Sequence, residues 1–469
     1  MIPEMPRGSP PRSLADPALS DDPAAGGLAR RLGAWDLMLL AAGGAIGGGI
    51  FLTPATIARQ LPDPRWILAA WVTGGVLTIA GGLVYAELAA MFPEAGGTYA
   101  YLREAYGPCA AFLYGWIGCF VIETGSMAAV AVGLAEYVGA FLPKIGAHTA
   151  AFRIGAFSVS TGQAVAIAAV ALLSVTHYRG VREGVRIQGA FTSVILVAMV
   201  ALSIGGLARG HSIPFAPAAR IPIGAFGGAM IAVLWSFYGW NEALTASGEV
   251  RNPRKNIPLG LLVAVALVTL LYVGVNVAFL RTMTVAELAG AARPAQLASL
   301  RFFGAGATLL ISGAIVAMAI GCTSSSVVPA PRIAFAMARD RFLPEALGTV
   351  HPRFRTPAFA IVVQAVWTAL LCVSGRYDQL YTFATFAVIL AYAAAGWAIF
   401  VFRRKRPDAD RPYRCWGYPI VPLLFVGSSL AVAVATIRAQ PRETLAGIAI
   451  MLAGLPVYFW MRRRKAASS

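Results

Sequence analysis

Charge is scarce in this sequence. Asp, Glu, Lys and Arg make up 13% of its 469 residues, while 58% are hydrophobic and the mean hydropathy is +0.69. Soluble domains average roughly 25% charged residues, so this composition excludes an ordinary water-soluble globule. Histidine is rarer still: His148, His177, His211 and His351 show no H-x-x-x-H or similar spacing. No nucleophile–base motif accompanies them, which argues against a membrane-embedded enzyme. His177 and His351 lie near cytoplasmic loops, where ordinary polar roles fit both. The five cysteines (Cys109, Cys119, Cys322, Cys372 and Cys415) lack metal-ligand spacing, and four sit in or beside apolar stretches. There they read as small buried hydrophobes, so neither a metal nor a cofactor is implied. A basic n-region with a short apolar core and a cleavage site is also missing, so no signal peptide is expected. Residues 1–30, rich in proline, acid and small side chains, read as a disordered cytoplasmic tail.

What the chain has instead is long apolar runs. Stretches of ~18 residues or more, each able to cross a ~30 Å hydrocarbon core, recur along its whole length. Twelve spans are expected near 36–58, 66–91, 108–141, 160–178, 185–208, 223–249, 257–281, 303–339, 357–375, 378–402, 417–437 and 443–461. The net charge of +17 could suggest a nucleic-acid partner, but its distribution argues otherwise. With the N-terminus inside, cytoplasmic segments hold 23 basic residues close to span ends, including the runs 403–406 and 462–465, against 12 in the outer loops. That asymmetry is the positive-inside rule. It puts both termini in the cytoplasm of an inner-membrane protein, with the basic runs facing anionic lipid and no nucleic acid involved.

The stretch "LLAAGGAIGGGIFLTPATIA" (39–58) concentrates five glycines in the middle of the first span. Glycine costs about 1 kcal/mol per helical position relative to alanine. A broken helix is tolerable in a membrane only where the freed backbone groups line a cavity or meet a polar ligand. Close packing is the alternative, since Gly43/Gly47 and Gly44/Gly48 each form a G-x-x-x-G pair. A phosphate loop is not expected, because no strand precedes the run and no Lys-Ser/Thr follows it. The sixth span, "AVLWSFYGWNEALTASGEV" (232–250), is interrupted in the same way by Ser236, Gly239, Asn241, Glu242 and further polar residues. Interruptions in spans one and six fit a repeat of five spans, and five is odd, so the second copy enters the membrane inverted. Paired broken segments in an inverted repeat point to a transporter's midplane site.

These residues also carry a resemblance. "GGAIGGGIF" (43–51), "YAELAAMFPEAGGTYAYLREAYGPCAAFLYGW" (85–116), "FYGWNEALTASGEVRNPRKNIPLG" (237–260) and "AFAMARDRFLPEALGTVHPRFRTP" (334–357) resemble the amino acid–polyamine–organocation permeases, near bacterial relatives of the L-type amino-acid transporters. The resemblance implies an all-α integral membrane protein with twelve transmembrane helices. Its LeuT-type repeats would span 31–208 and 221–402, with broken helices 1 and 6. A basic loop (403–416), two accessory helices (417–461) and a basic tail (462–469) would follow. It further implies that Ile46, Gly47, Gly48 and Gly49 offer backbone N–H groups to an amino acid's carboxylate, as a half-helix N-terminus can. Carbonyls near Ala42 on helix 1, and near Ser236, Phe237 and Gly239 on helix 6, would meet the α-ammonium. Trp235 matches an aromatic lid over the substrate side chain, with a packed core indole as the alternative. Asn241 belongs to a Gly-Trp-Asn run whose polar side chain bonds the unwound backbone or the ligand. Glu249 is expected to pair with Arg251, Arg254 or Lys255.

Ionisable residues inside a membrane are costly and mark function. Glu87 matches a family acid at the inner end of helix 2, a structural or gating partner. Glu123 lies mid-span in helix 3, where burial disfavours the charged carboxylate. It reads as a proton carrier, as a selector for a cationic side chain, or as a neutral acid fixing helix packing. Ile195 stands where many members carry a lysine whose ammonium takes the place of a coupling sodium ion. Either the vacated site binds Na⁺ through Ser324, Ser325 or Ser326, or coupling is absent or moved to Glu123; the serines could equally be packing residues. Residues 142–159 contain no cysteine, so a disulfide-linked heavy subunit like that of the animal relatives is not expected. The expected function is secondary transport of neutral L-amino acids between unwound helices 1 and 6, in the lipid bilayer. Exchange and Na⁺- or H⁺-coupled symport both remain open, and a non-transporting amino-acid sensor is the alternative from another class.

Overall fold

The computed structural model describes residues 28–47, 49–139, 142, 149–154, 157–211, 223–374, 377–439 and 441–467. Among these, nine helices are long and apolar enough to cross a membrane. A bent pair, Ala34–Ala45 and Gly49–Gln60, meets at 43° and makes a tenth span if counted together, and Gly224–Ser236 and Ala358–Ser374 are shorter apolar helices. Every one of the twelve apolar stretches therefore carries helix, and the protein is a multi-pass membrane protein. Its exterior fits that setting: Leu172, Val197, Leu270, Leu310 and Ile420 are each at least two-thirds exposed, an arrangement that suits lipid better than water.

Local rules set the element ends. Span 2 (Pro64–Met91) starts where the Asp63 side chain accepts the Arg65 N–H and Pro64 takes the first helical position, which needs no N–H donor. Span 4 (Thr161–Arg179) opens with a reciprocal capping box between Ser160 and Gln163. Span 3 is helical over Pro108–Ile117 and Glu123–Gly139, joined by a π-helical turn at Gly118–Ile122. Such turns often occur at functional sites, and this one ends on Glu123. Span 8 divides into Ala305–Ser325 and Pro329–Arg339. Short elements absent from the sequence reading fill the loops: helix Thr98–Tyr106 between spans 2 and 3, helices Val285–Gly290 and Pro294–Phe303 between spans 7 and 8, and an antiparallel hairpin of Ala150–Ile154 with Phe157–Ser160.

Span 2 packs along span 7 (Pro253–Thr282), span 3 against span 8, and span 4 against span 9 (Ala358–Ser374). The two halves of span 1 contact spans 7 and 6 respectively. The inner end is tied by backbone pairing: Arg31 and Leu32 N–H groups donate to Glu249 O, and the Arg251 N–H donates to Leu32 O. The segment before span 1 is thereby fixed to the segment after span 6.

Candidate functional site

Both broken spans are present. Span 1 stops at Ala45 and resumes at Gly49; Gly48 lies outside the described residues. Span 6 is helical over Ile223–Ser236, turns through Gly239, and continues as a tight 3₁₀ helix, Glu242–Glu249. Gly239 has φ +99°, a conformation glycine adopts without strain, and a Cβ there would strike the Gly44 carbonyl oxygen. From the other side, a Cβ on Gly44 would lie 2.8 Å from Gly239 O, and one on Gly49 would lie 2.9 Å from Ser236 Cα. The breaks thus cross backbone to backbone. Gly43 abuts Gln188 and Thr192 of span 5 (Val181–Arg209), whereas Gly47 has only Cys322 Sγ nearby, at 3.7 Å. Packing and unwinding are both present in the glycine run, divided among its members.

A residue the sequence reading passed over pins this crossing. The buried Tyr272 hydroxyl of span 7 lies 2.9 Å from Ala45 O and 2.9 Å from Ser236 O, the carbonyls where each helix half ends. Thr53 Oγ1 and Ser236 Oγ add a second link at 2.8 Å.

The proposed zwitterion groups are partly engaged already. The Ile46 N–H donates to Ala42 O at 2.8 Å and the Gly47 N–H to Ala45 O at 3.0 Å. The amides with no acceptor in their own helix are those of the first turn of Gly49–Gln60. Ser236 O accepts from Tyr272, and Gly239 O accepts the Glu242 N–H at 3.1 Å. Each carbonyl retains a second lone pair. The Phe237 ring is buried and tilted against Trp71 and Tyr272 at 6.2 and 4.8 Å between centroids. Trp235 is 41% exposed, unlike a packed core indole. With Thr53, Tyr238 and Tyr392 it lines a cavity of about 620 Å³. Asn241 Oδ1 accepts from the Tyr392 hydroxyl of span 10 (Tyr377–Lys405) at 2.7 Å.

The three span 8 serines diverge. Ser324 Oγ lies 3.0 Å from His177 Nε2, Ser325 Oγ donates to Leu40 O at 3.3 Å, and Ser326 Oγ donates to Cys322 O at 3.0 Å. Only Ser325 reaches span 1. Ile195 is buried in the core.

The acids sort into two kinds. Glu87 is buried and holds Arg403 at 2.8 Å and the Cys415 N–H at 2.6 Å, fastening the basic loop. Glu249 corrects the sequence reading: its partner is Arg332, at 2.7 Å with both side chains fully buried, while Arg254 pairs with Asp410. Arg332, an arginine within the expected eighth span (303–339), was the signal the sequence reading passed over. Glu123 and Glu242, by contrast, line one small cavity with Thr98, Tyr238, Asn241 and Tyr392.

A pair of broken spans crossing at mid-molecule, with carbonyls, first-turn amides and acids around them, has the groups that a small polar ligand would need inside a membrane. Comparison with known proteins gives the family. The family model for amino acid permeases matches residues 32–461. The serine/threonine exchanger SteT of Bacillus subtilis (strain 168) is 31% identical over 447 residues, 94% of this chain and 99% of its own. The human b(0,+)-type amino acid transporter 1 is 29% identical, covering 94% of this chain and 89% of its own. Human large neutral amino acids transporter small subunit 2 is 29% identical, covering 91% and 80%. The relatives are transporters and not enzymes, and this chain belongs to the amino acid permease family.

Proposed function

We propose that the chain is an exchanger of neutral L-amino acids that works by alternating access in the cell membrane, with both termini cytoplasmic. The observation that carries this reading is the crossing of the two helix breaks at Gly44, Gly239 and Tyr272. In it, the substrate carboxylate sits on the first-turn amides from Gly49 onward, where the helix dipole favours an anion. The ammonium meets the free lone pairs of Ala42, Ser236, Phe237 and Gly239, and Trp235 closes over the side chain. Helix pairs 2/7, 3/8 and 4/9 pack together, as a pseudo-twofold between 31–208 and 221–402 would require. Exchange is favoured by the name of the SteT relative and by Ile195, which cannot supply an ammonium. The three serine hydroxyls have separate partners, Ser324 facing His177, Ser325 donating to Leu40 O and Ser326 to Cys322 O, so they do not converge on one neighbour. A single-chain transporter is supported by the lack of cysteine in 142–159, a stretch of which 143–148 and 155–156 lie outside the described residues.

The test is radiolabelled uptake into proteoliposomes loaded with unlabelled amino acid or left empty. Uptake into loaded vesicles, absent from empty ones without gradients, is the expected result. Gly47→Leu should abolish it while still inserting in the membrane, because the new side chain meets only Cys322 and projects where the substrate would lie. Normal uptake by that variant would remove the carboxylate assignment.

A further inference from the structure

Glu123 is 4% exposed and lines the small cavity, yet its carboxylate has no hydrogen-bond or ion-pair partner among the described residues. Across the cavity Glu242, 8% exposed, is held by the Tyr238 hydroxyl. The two acids are near enough to repel each other electrostatically. The titratable groups around them are Tyr114 and Cys119 from span 3, Tyr238 from span 6, Cys322 from span 8 and Tyr392 from span 10. None is a cation. Arg332 of span 8 is taken by Glu249, and His177 of span 4 faces Ser324.

Two negative charges cannot share a site of low dielectric without a counterion. One of three things must neutralise them: a metal cation, a cationic ligand group or a proton. The free volume, about 10 Å³, has room for about one water, too little for a guanidinium or for an ammonium with its carbon stem, and among the described residues no group of three or more His, Cys, Asp or Glu side chains is placed to hold a metal ion. We infer that Glu123 and Glu242 form a proton-binding pair, which carries a proton in step with the substrate. This rests on the transporter reading above and adds to exchange a net uptake in which one proton enters with each substrate.

The placement explains how coupling would work. Glu242 is next to Asn241 on broken span 6, the element that moves in alternating access. Glu123 is on span 3, which stays with the surroundings. Rocking changes the distance between the carboxyls, and the interaction of two charges varies inversely with distance and dielectric. A proton shared when the pair is closed is therefore released when the pair separates and is wetted. Tyr392 extends the link, since its hydroxyl binds Asn241 and its ring lines the same cavity.

The experiment uses full-length protein in proteoliposomes containing a trapped pH dye, left without amino acid to read net uptake or loaded with unlabelled amino acid to read counterflow. In empty vesicles with acid outside by about one pH unit, one proton per substrate supports about tenfold accumulation, and adding substrate should acidify the interior. Glu242→Gln should keep counterflow, since an amide mimics the protonated acid, and lose both proton entry and the pH stimulation. Glu123→Gln should also lose proton entry. Substrate-induced proton uptake by purified wild-type protein, followed with an indicator in weakly buffered solution, gives a readout that needs no variant to fold. Counterflow in the wild type with no substrate-driven proton entry into empty vesicles, proton entry surviving in both variants, or stimulation by Na⁺ alone would overturn the pair while leaving the transporter reading intact. Absence of counterflow for every amino acid would instead sink the transporter reading itself.

Discussion

Two ion pairs of equal length sit at opposite ends of this molecule. Arg332–Glu249, at the inner end, and Arg301–Glu287, in the outer loop between spans 7 and 8, are both 2.7 Å long. The inner side chains are fully buried, and the outer ones are 38% and 44% exposed. Distance alone says nothing about their worth. Desolvation makes the inner pair a commitment, because breaking it strands a charge, whereas the outer pair can trade either partner for water at little loss. The inner pair also joins the end of span 6 to the continuation of span 8. Glu123 and Glu242 are a third case, buried like the inner pair but with no cation beside them among the described residues.

The largest effect is expected at the inner pair. Arg332→Met leaves Glu249 buried without its cation and should destabilise the protein by about 3–5 kcal/mol, seen as a sharp drop in apparent Tm in detergent and loss of transport. Arg332 Nη2 and Glu249 Oε2 lack partners even now. The double variant Arg332→Met/Glu249→Leu should therefore recover most of the Tm, since apolar replacements of a whole buried pair are often neutral. A double variant no more stable than the single one would contradict this account. A smaller loss is expected from Gly239→Ala, which forces a Cβ onto the Gly44 carbonyl at a positive φ, strain of order 1–3 kcal/mol. Transport should fall further than Tm does, because the change strikes where the two breaks cross; equal losses would make Gly239 merely structural.

How much of this was legible beforehand follows from the same physics. Hydropathy reports burial along one chain, so the twelve apolar stretches and the two interruptions were visible in the sequence. Glycine and polar residues at matching positions located the two breaks. Partner choice was not visible. Glu249 was expected to bind a neighbour in sequence, but it is paired with Arg332, 83 residues away. Sequence proximity is a poor guide where a buried charge selects the one cation that shares its desolvated seam. Tyr272 was silent because a lone tyrosine in an apolar helix reads as packing. Its role depends on two carbonyls from spans 1 and 6 converging on one hydroxyl, which only the tertiary arrangement creates. Glu242 was seen as one polar residue among several, and its significance comes from facing Glu123.

The outer pair supplies the smallest effect and the sharpest contrast. Arg301 holds the Glu287 carboxyl well below the ordinary carboxylate range, at about 2, with the Thr284 N–H as a second cause. A group whose folded-state value is depressed stabilises the fold above its unfolded value and loses that contribution as pH falls through the folded one. The contribution of Glu287 is thus whole at neutral pH and fades from about 4.5 down to about 2. Glu287→Gln removes the charge but keeps an acceptor for the Thr284 N–H, now bonded at 2.8 Å, so the capping box survives. Apparent Tm at neutral pH should fall only slightly, because the pair is exposed, and the difference from the wild type should close as pH drops from about 4.5 to about 2. Solvent and salt already screen both partners, so raising ionic strength should shrink even that difference. A drop in Tm comparable to that of Arg332→Met would mean that burial is not what separates the two pairs. Pair length would then have to be weighed again as a guide to their strength.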